Sequence, residues 1–175
     1  MKNFIVASVA LAALAGSVHA DQVMVDITGW QATAGYLNPG NTSTTVSIPV
    51  GSQITGITYT DLAFTAQGGS WLSEFILSVN DGQLGDFWDF RLSSTNAPGV
   101  FGPASGAFVP GPQSSGGPFT TTQDLFVTVY DTFNDAGIDA IVSGGTLTIT
   151  YVIPTPGAMA LLGLGGLVAT RRRRA

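Results

Sequence analysis

Strict alternation of apolar and polar side chains recurs along the middle of the chain and predicts a series of half-buried β-strands. In the clearest case, Leu147, Ile149 and Tyr151 alternate with threonines. Other runs with a period of two lie at 23–27, 75–79, 88–92 and 125–129, and 54–64 is a further strand with weaker alternation. Since no sustained helical period appears between these runs, the pattern predicts an all-β fold.

Glycine, proline and asparagine separate the strand runs and predict turns between them. These turns are expected at 38–40, 67–69, 80–82 and 143–145. Many short strands joined by glycine-rich turns favour an antiparallel β-sandwich or jelly roll. The segment 96–122 contains 6 glycines and 5 prolines and is therefore expected to be a long loop inside a domain that covers 21–153.

The first 20 residues have the three parts of a secretory signal peptide in the required order. Lys2 supplies the positive charge, 4–15 is an apolar run, and Val18 and Ala20 are the small residues before the cut. We therefore predict a signal helix over 1–20 that is removed between Ala20 and Asp21. The rest of the chain would be exported.

The last 22 residues have a three-part pattern of their own. Pro154 and Pro156 interrupt regular structure, an uncharged run follows over 157–170, and four arginines precede the final residue. As a helix this run would span about 21 Å, which is less than the roughly 30 Å hydrocarbon core of a bilayer. Arginines are retained on the cytoplasmic side, so the tail would leave 21–153 on the outer side. A C-terminal core helix with a solvated basic end is the alternative.

This tail resembles the PEP-CTERM sorting segment of bacterial exported proteins. The resemblance covers 154–175, where Thr155 stands in place of the usual glutamate. It implies an exosortase-like membrane enzyme that processes the tail while the tail is held transiently in the inner membrane. It also implies a final place in the cell envelope, on the surface or outside the cell, in a setting of exopolysaccharide. The sorting residues are Pro154, Thr155, Pro156, Gly157, Arg171, Arg172, Arg173 and Arg174.

A second resemblance concerns the middle of the chain. Ser70, Trp71 and Leu72, together with the strand at 145–149, resemble the P-domain-like jelly rolls attached to some secreted proteases. The resemblance adds to the jelly-roll expectation. It implies nothing about function, because one fold can carry unrelated activities.

Charge and composition exclude several classes of function. Residues 21–153 contain 11 acids against one basic residue, Arg91, a net charge of −10. Such a surface repels phosphate backbones and excludes nucleic acid as a partner. The same region has no Cys, Lys or His, since His19 leaves with the signal peptide. This composition excludes a Ser-His-Asp triad, a Cys nucleophile, a Schiff-base lysine and a His-ligated zinc site. We therefore expect no enzyme activity.

One acidic loop is a candidate for Ca²⁺, the one cofactor the sequence suggests. Hard oxygen ligands packed into a loop suit calcium, although such residues also form turns. The candidate ligands, within nine residues between two predicted strands, are Asp131, Asn134, Asp135 and Asp139. A second cluster comprises Asn80, Asp81, Asp86 and Asp89. Neither has the spacing of an EF-hand loop.

Three functions remain open. The first is a non-catalytic surface or matrix protein with an adhesive or structural role, served by the export machinery and an exosortase and with polysaccharide as a candidate partner. The second is a calcium-dependent glycan-binding module, in which Trp30 and Trp71 would face a sugar while Trp88 belongs to the core. The third is a glycoside hydrolase that uses Glu74, the only glutamate, with an aspartate such as Asp89.

Overall fold

The computed structural model describes residues 20–82, 86–108, 114–135 and 137–153, all within one compact unit of the chain, His19–Pro154. In these ranges the chain forms ten β-strands and no helix. The strands are β1 (Ala20–Asp26), β2 (Gln31–Ala32), β3 (Ser43–Val46), β4 (Gln53–Ala66), β5 (Phe75–Asn80), β6 (Phe87–Arg91), β7 (Gly99–Phe108), β8 (Ser114–Gly116), β9 (Leu125–Asp131) and β10 (Ala140–Val152). The all-β prediction is confirmed, and each alternating run in the sequence lies on a strand to within one residue.

The strands pair into two antiparallel sheets of five strands each. The first has the order β1-β10-β4-β7, with short β2 pairing to the start of β10. The second has the order β3-β9-β5-β6-β8. Except for β5 and β6, which follow one another in the chain, the paired strands are distant in sequence; β10 lies between β1 and β4, and β9 lies between β3 and β5.

The inner faces of the two sheets share one hydrophobic core. Phe64 on β4 stacks on Phe75 on β5, with ring centroids 4.3 Å apart. Phe90 on β6 stacks on Phe108 on β7 at 4.0 Å. These contacts join the first sheet to the second, so the apolar half of each alternating strand is buried in a sandwich-like arrangement.

The prediction of a long loop over 96–122 is wrong for much of its length. Residues 99–108 form β7, which pairs with β4, and 114–116 form β8, which pairs with β6. Phe101 and Phe108 anchor β7 by packing into the aromatic core. Three of the six glycines and one of the five prolines that suggested a loop lie in β7, an edge strand with an irregular register, where proline is tolerated.

The turn predicted at 143–145 is also wrong, because these residues lie inside β10. The register to β4 shifts on both sides of Gly144, which marks a β-bulge. Gly145 has φ +148°, and a Cβ there would lie 2.9 Å from Leu62 Cδ1. Glycine at this position therefore bends a long strand instead of ending it.

Both predicted processing segments lie outside the described residues, except for Ala20. They are the signal helix over 1–20 and the sorting tail with its short apolar helix over 154–175. The described part begins with β1 at Ala20 and its last strand ends at Val152, and these two residues pair directly. Within that part no helix has the length and apolar character needed to cross a membrane.

Candidate functional site

A cleft of about 470 Å³ opens on the outer face of the second sheet. It arises because β9 alternates: Leu125, Val127 and Val129 enter the core, while Phe126 is only half-buried on the opposite face. The residues that line it include Tyr36, Leu37, Asn80, Gln123, Asp124 and Phe126. The cleft thus combines two aromatic rings with amide and carboxylate groups, the mixture typical of sites for small polar ligands.

The segment between β2 and β3 places Tyr36 over this sheet. Asn41 fixes the segment, because its Oδ1 accepts hydrogen bonds from the amides of Thr33 (2.8 Å) and Ala34 (3.2 Å) and its Nδ2 donates to the Gly35 carbonyl (2.9 Å). The Tyr36 ring then meets the Tyr130 ring edge to face, with centroids 5.4 Å apart. One wall of the cleft is therefore held in place before any ligand arrives.

The Tyr130 ring that contacts Tyr36 is held in place by a hydrogen bond to Asp89. The Tyr130 hydroxyl donates a hydrogen bond of 2.9 Å to Asp89 Oδ2. Burial and the Asp89 charge raise the pKa of Tyr130, so its hydroxyl keeps its proton and remains a donor. Asp89 Oδ1 is buried without a hydrogen-bond partner. The sequence placed Asp89 in a candidate metal cluster, whereas its observed contact is with a tyrosine.

Asn80 of that second cluster lines the cleft, and the neighbouring Asp81 holds the adjoining segment in place. Asn80 Oδ1 accepts from the Gly82 amide (2.9 Å), and Asp81 Oδ2 accepts from the Thr122 hydroxyl (2.8 Å). Gln123 Nε2 donates to the Asp81 carbonyl. These bonds tie the end of β5 to the segment that precedes β9, as expected for residues that form turns.

The acidic loop after β9, the other calcium candidate, is different, because two of its three carboxylates are buried. Asp131 ends β9 and Asp139 precedes β10, and both are fully buried. Asp131 Oδ1 accepts from the Phe133 amide (2.8 Å), but Asp131 Oδ2 and both Asp139 carboxylate oxygens have no hydrogen-bond partner. Asp135 Oδ2 accepts from the buried Ser70 hydroxyl (3.1 Å), and Asn134 is exposed. Three of the four predicted ligands, the aspartates, thus lie within electrostatic range of one another.

The charges of this cluster act on one another. Burial raises the pKa of Asp131 to about 6; the Phe133 amide opposes that rise, and the charges of Asp139, Glu74 and Asp135 add to it. Burial and the Asp135 charge also raise the pKa of Asp139. The Asp135 amide and Ser70 hydroxyl lie close enough to oppose this rise, yet neither makes a hydrogen bond of normal geometry to Asp139. The carboxylates therefore repel one another in a site sheltered from water.

Ser70 and Glu74 belong to this cluster although the sequence analysis did not include them in it. Both lie near the start of β5, about 60 positions before Asp131, and no local spacing links them. No three His, Cys, Asp or Glu side chains within the described ranges form a set that could hold a metal ion. A cation here would consequently depend on two carboxylates together with neutral oxygens.

Glu74 has a structural partner, since its Oε2 accepts from the Trp71 amide (2.7 Å) and closes the turn before β5. Asp89 on β6 pairs with Ser78 on β5, and Ser78 lies four positions after Glu74 in the chain. Four residues of strand span about 13 Å, which is longer than the roughly 5–10 Å between the carboxyls of a glycosidase. The register therefore gives no support to a catalytic pair of these two residues.

The tryptophans divide between core and surface. Trp88 is 2% exposed, which confirms its assignment to the core. Trp30 is also buried, at 8%, so it has little surface to offer a sugar. Trp71 is 43% exposed, on the turn before β5 and away from the residues that line the cleft. The aromatic rings that do line it, Tyr36 and Phe126, were not singled out by the sequence analysis.

No family model matches the chain, and no curated protein matches its sequence. The geometry of the cleft and the two ends of the chain therefore carry the functional argument.

Proposed function

We propose that the protein is an exported, non-catalytic surface or matrix component that binds a polysaccharide through the cleft on its second sheet. The observation that carries this proposal is the arrangement of Tyr36 and Phe126 beside the exposed side chains of Gln123 and Asp124. Aromatic rings stack on the apolar face of a sugar ring, and amides can both donate to and accept from its hydroxyls. The role that follows is adhesive or structural.

The charge of the domain narrows the class of glycan. Residues 21–153 carry a net charge of −10, and Asp124 places a carboxylate at the cleft itself. Acidic polysaccharides would be repelled, whereas a neutral glycan would not. Asp124 Oδ1 accepts from the Ser47 hydroxyl (2.9 Å), which orients this carboxylate for hydrogen bonds with sugar hydroxyls.

The strand order favours the jelly-roll class of sandwich. When the short strands β2 and β8 are set aside, the sheets have the orders β1-β10-β4-β7 and β3-β9-β5-β6. Eight strands in two sheets joined by Greek-key connections define a jelly roll, an architecture shared by many lectin domains. The likeness is one of fold, and the assignment to glycan binding depends on the cleft.

Export and sorting are part of the proposal. Because Ala20 pairs with Val152, both ends of the domain lie at the same end of the first sheet. A cut between Ala20 and Asp21 and another near Pro154 would remove at most the outermost of the seven residue pairs between β1 and β10. Removal of both segments would therefore leave the sheet nearly complete. The proposed route is that of a bacterial precursor that is held by its tail in the inner membrane, processed by an exosortase-like enzyme, and delivered to the envelope, the surface or the medium.

Tyr36→Ala is expected to weaken glycan binding at least about tenfold, because it removes one of the two aromatic rings that line the cleft. The measurement is retention of the exported protein on a panel of neutral and acidic polysaccharides, followed by a dissociation constant for the best ligand. Trp71→Ala is the matched control, since it removes an exposed aromatic ring outside the cleft. Equal losses in both variants, or no retention by any glycan, would contradict the proposed site. Hydrolysis of a bound glycan that Glu74→Gln abolishes would contradict its non-catalytic character.

The sorting part of the proposal predicts a specific mass. In the native host, the intact protein recovered from the medium or cell surface is expected to begin at Asp21 and end between Pro154 and Gly157. Mass spectrometry of membrane and medium fractions measures both ends at once. A membrane species that still carries Arg171 to Arg174 as the final product would instead make the tail a permanent anchor.

A further inference from the structure

We propose that the loop between β9 and β10 binds one Ca²⁺ ion through the carboxylates of Asp139 and Asp135, with the Ser70 hydroxyl oxygen as a neutral ligand. This site is distinct from the cleft and does not depend on glycan binding. It changes the ligand set predicted from the sequence in two ways. Ser70 is added from outside the loop, and two residues are left out: the exposed Asn134, and Asp131, whose Oδ1 accepts from the Phe133 amide.

The unpaired carboxylate of Asp139 is the first observation behind the site. The side chain is fully buried, and neither oxygen accepts a hydrogen bond. Its backbone is fixed on both sides, because the Asp139 amide donates to Ala32 (2.8 Å) and the Asp139 carbonyl accepts from Gln67 (2.7 Å). A buried carboxylate without a partner is strongly destabilising, so this one requires either a proton or a cation.

The second observation is the composition of the surroundings. Asp135 exerts the largest effect of any neighbouring charge on Asp139, and Ser70 lies close to both carboxylates. Glu74 and Asp131 add further negative charge, and Asp131 Oδ2 is also buried without a partner. The sequence of the domain offers no lysine and a single arginine, so the chain itself has little positive charge to supply.

The ligand chemistry selects calcium among common cations. The available donors are carboxylate and hydroxyl oxygens, without the nitrogen or sulfur ligands that zinc and copper favour. Calcium accepts mixed sets of carboxylates, neutral oxygens and water in irregular geometry, whereas magnesium requires a near-ideal octahedron. Two carboxylates and a hydroxyl leave the remaining positions to carbonyl oxygens and water.

The test is thermal unfolding of the exported protein at neutral pH, first in EDTA and then in about 10 mM CaCl₂, well above the roughly 10⁻⁴–10⁻³ M dissociation constants of extracellular calcium sites. We expect calcium to raise Tm by about 5–10 °C. Asp139→Asn is expected to abolish this rise while its Tm in EDTA stays equal to or above that of the unaltered chain, because the change removes a buried charge. Asp61→Asn, an exposed change of the same charge at a φ of +51° that asparagine tolerates, is the matched control and should keep the full rise.

Equilibrium dialysis with atomic absorption gives a second readout, and we expect one bound calcium per chain in the unaltered protein and none in the Asp139→Asn and Asp135→Asn variants. The inference is overturned if Tm is the same in EDTA and CaCl₂, if Asp139→Asn responds like the unaltered chain, or if the protein binds no calcium. An equal rise with magnesium would overturn the assignment to calcium. All of these results are independent of whether a polysaccharide binds the cleft.

Discussion

Phe64→Ala is expected to lower the free energy of unfolding by about 3–5 kcal/mol, the range for removing a buried aromatic side chain. Phe64 is fully buried on β4. Its ring stacks on Phe75 of the opposite sheet (4.3 Å) and on Phe101 of β7 (5.1 Å). The truncation therefore opens a cavity where both sheets and the edge strand meet, a place that cannot easily collapse.

Chemical denaturation measures this loss, and Tm should fall by more than about 10 °C. Val100→Ala is the control, because Val100 lies on β7 beside the partner of Phe64 but is 67% exposed. It is expected to change stability by less than about 0.5 kcal/mol. If both variants lost the same stability, the two sheets would not share the core described above.

Gly102→Ala is expected to lower the free energy of unfolding by about 3 kcal/mol. The loss combines the strain of a left-handed backbone conformation with the overpacking caused by the added methyl group. Gly102 has φ +82° on β7. A Cβ there would overlap the Leu62 carbonyl oxygen and lie 3.0 Å from Ala63 Cα. Because these neighbours are backbone atoms of β4, they cannot move aside without breaking the pairing of the two strands.

Gly56→Ala provides the matched control for this change. Gly56 also lies in a strand, β4, but a Cβ there would meet no atom within 4 Å. This substitution should be neutral or stabilise the protein by up to about 1 kcal/mol, because it restricts the unfolded chain. A neutral Gly102→Ala variant would show that 99–108 does not pair with β4, and the loop expected from the sequence would regain support.

Alternation predicted the strands whose apolar residues face the core and whose polar residues do not, such as the run with Leu147 and Ile149. It failed where the sequence departs from that pattern for a physical reason. In β7 the inward residues Phe101 and Phe108 are separated by glycine, proline and serine, which are typical of loops. At 143–145 two adjacent glycines produce a bulge within β10, and a local reading cannot distinguish a bulge from a turn.

The candidate sites were predictable only in part. The acidic loop after β9 was visible because three of its aspartates are close in the chain, whereas Ser70 reaches them only through the sheet topology. The cleft was not visible, because Tyr36 lies in a segment without periodicity and Asn80 reads as a turn former. Long-range strand pairing brings these groups together, and a single sequence contains no direct record of that pairing.

The position of β10 between β1 and β4 has a mechanical consequence for any force applied at the C-terminal end of the domain. β10 is hydrogen-bonded to β1 along one edge and to β4 along the other, over most of its 13 residues. If the domain is held at the cleft on the second sheet, tension applied beyond Val152 runs along β10 and loads both ladders in shear, so many hydrogen bonds must break together. A fold of this kind would hold its shape under drag at a surface.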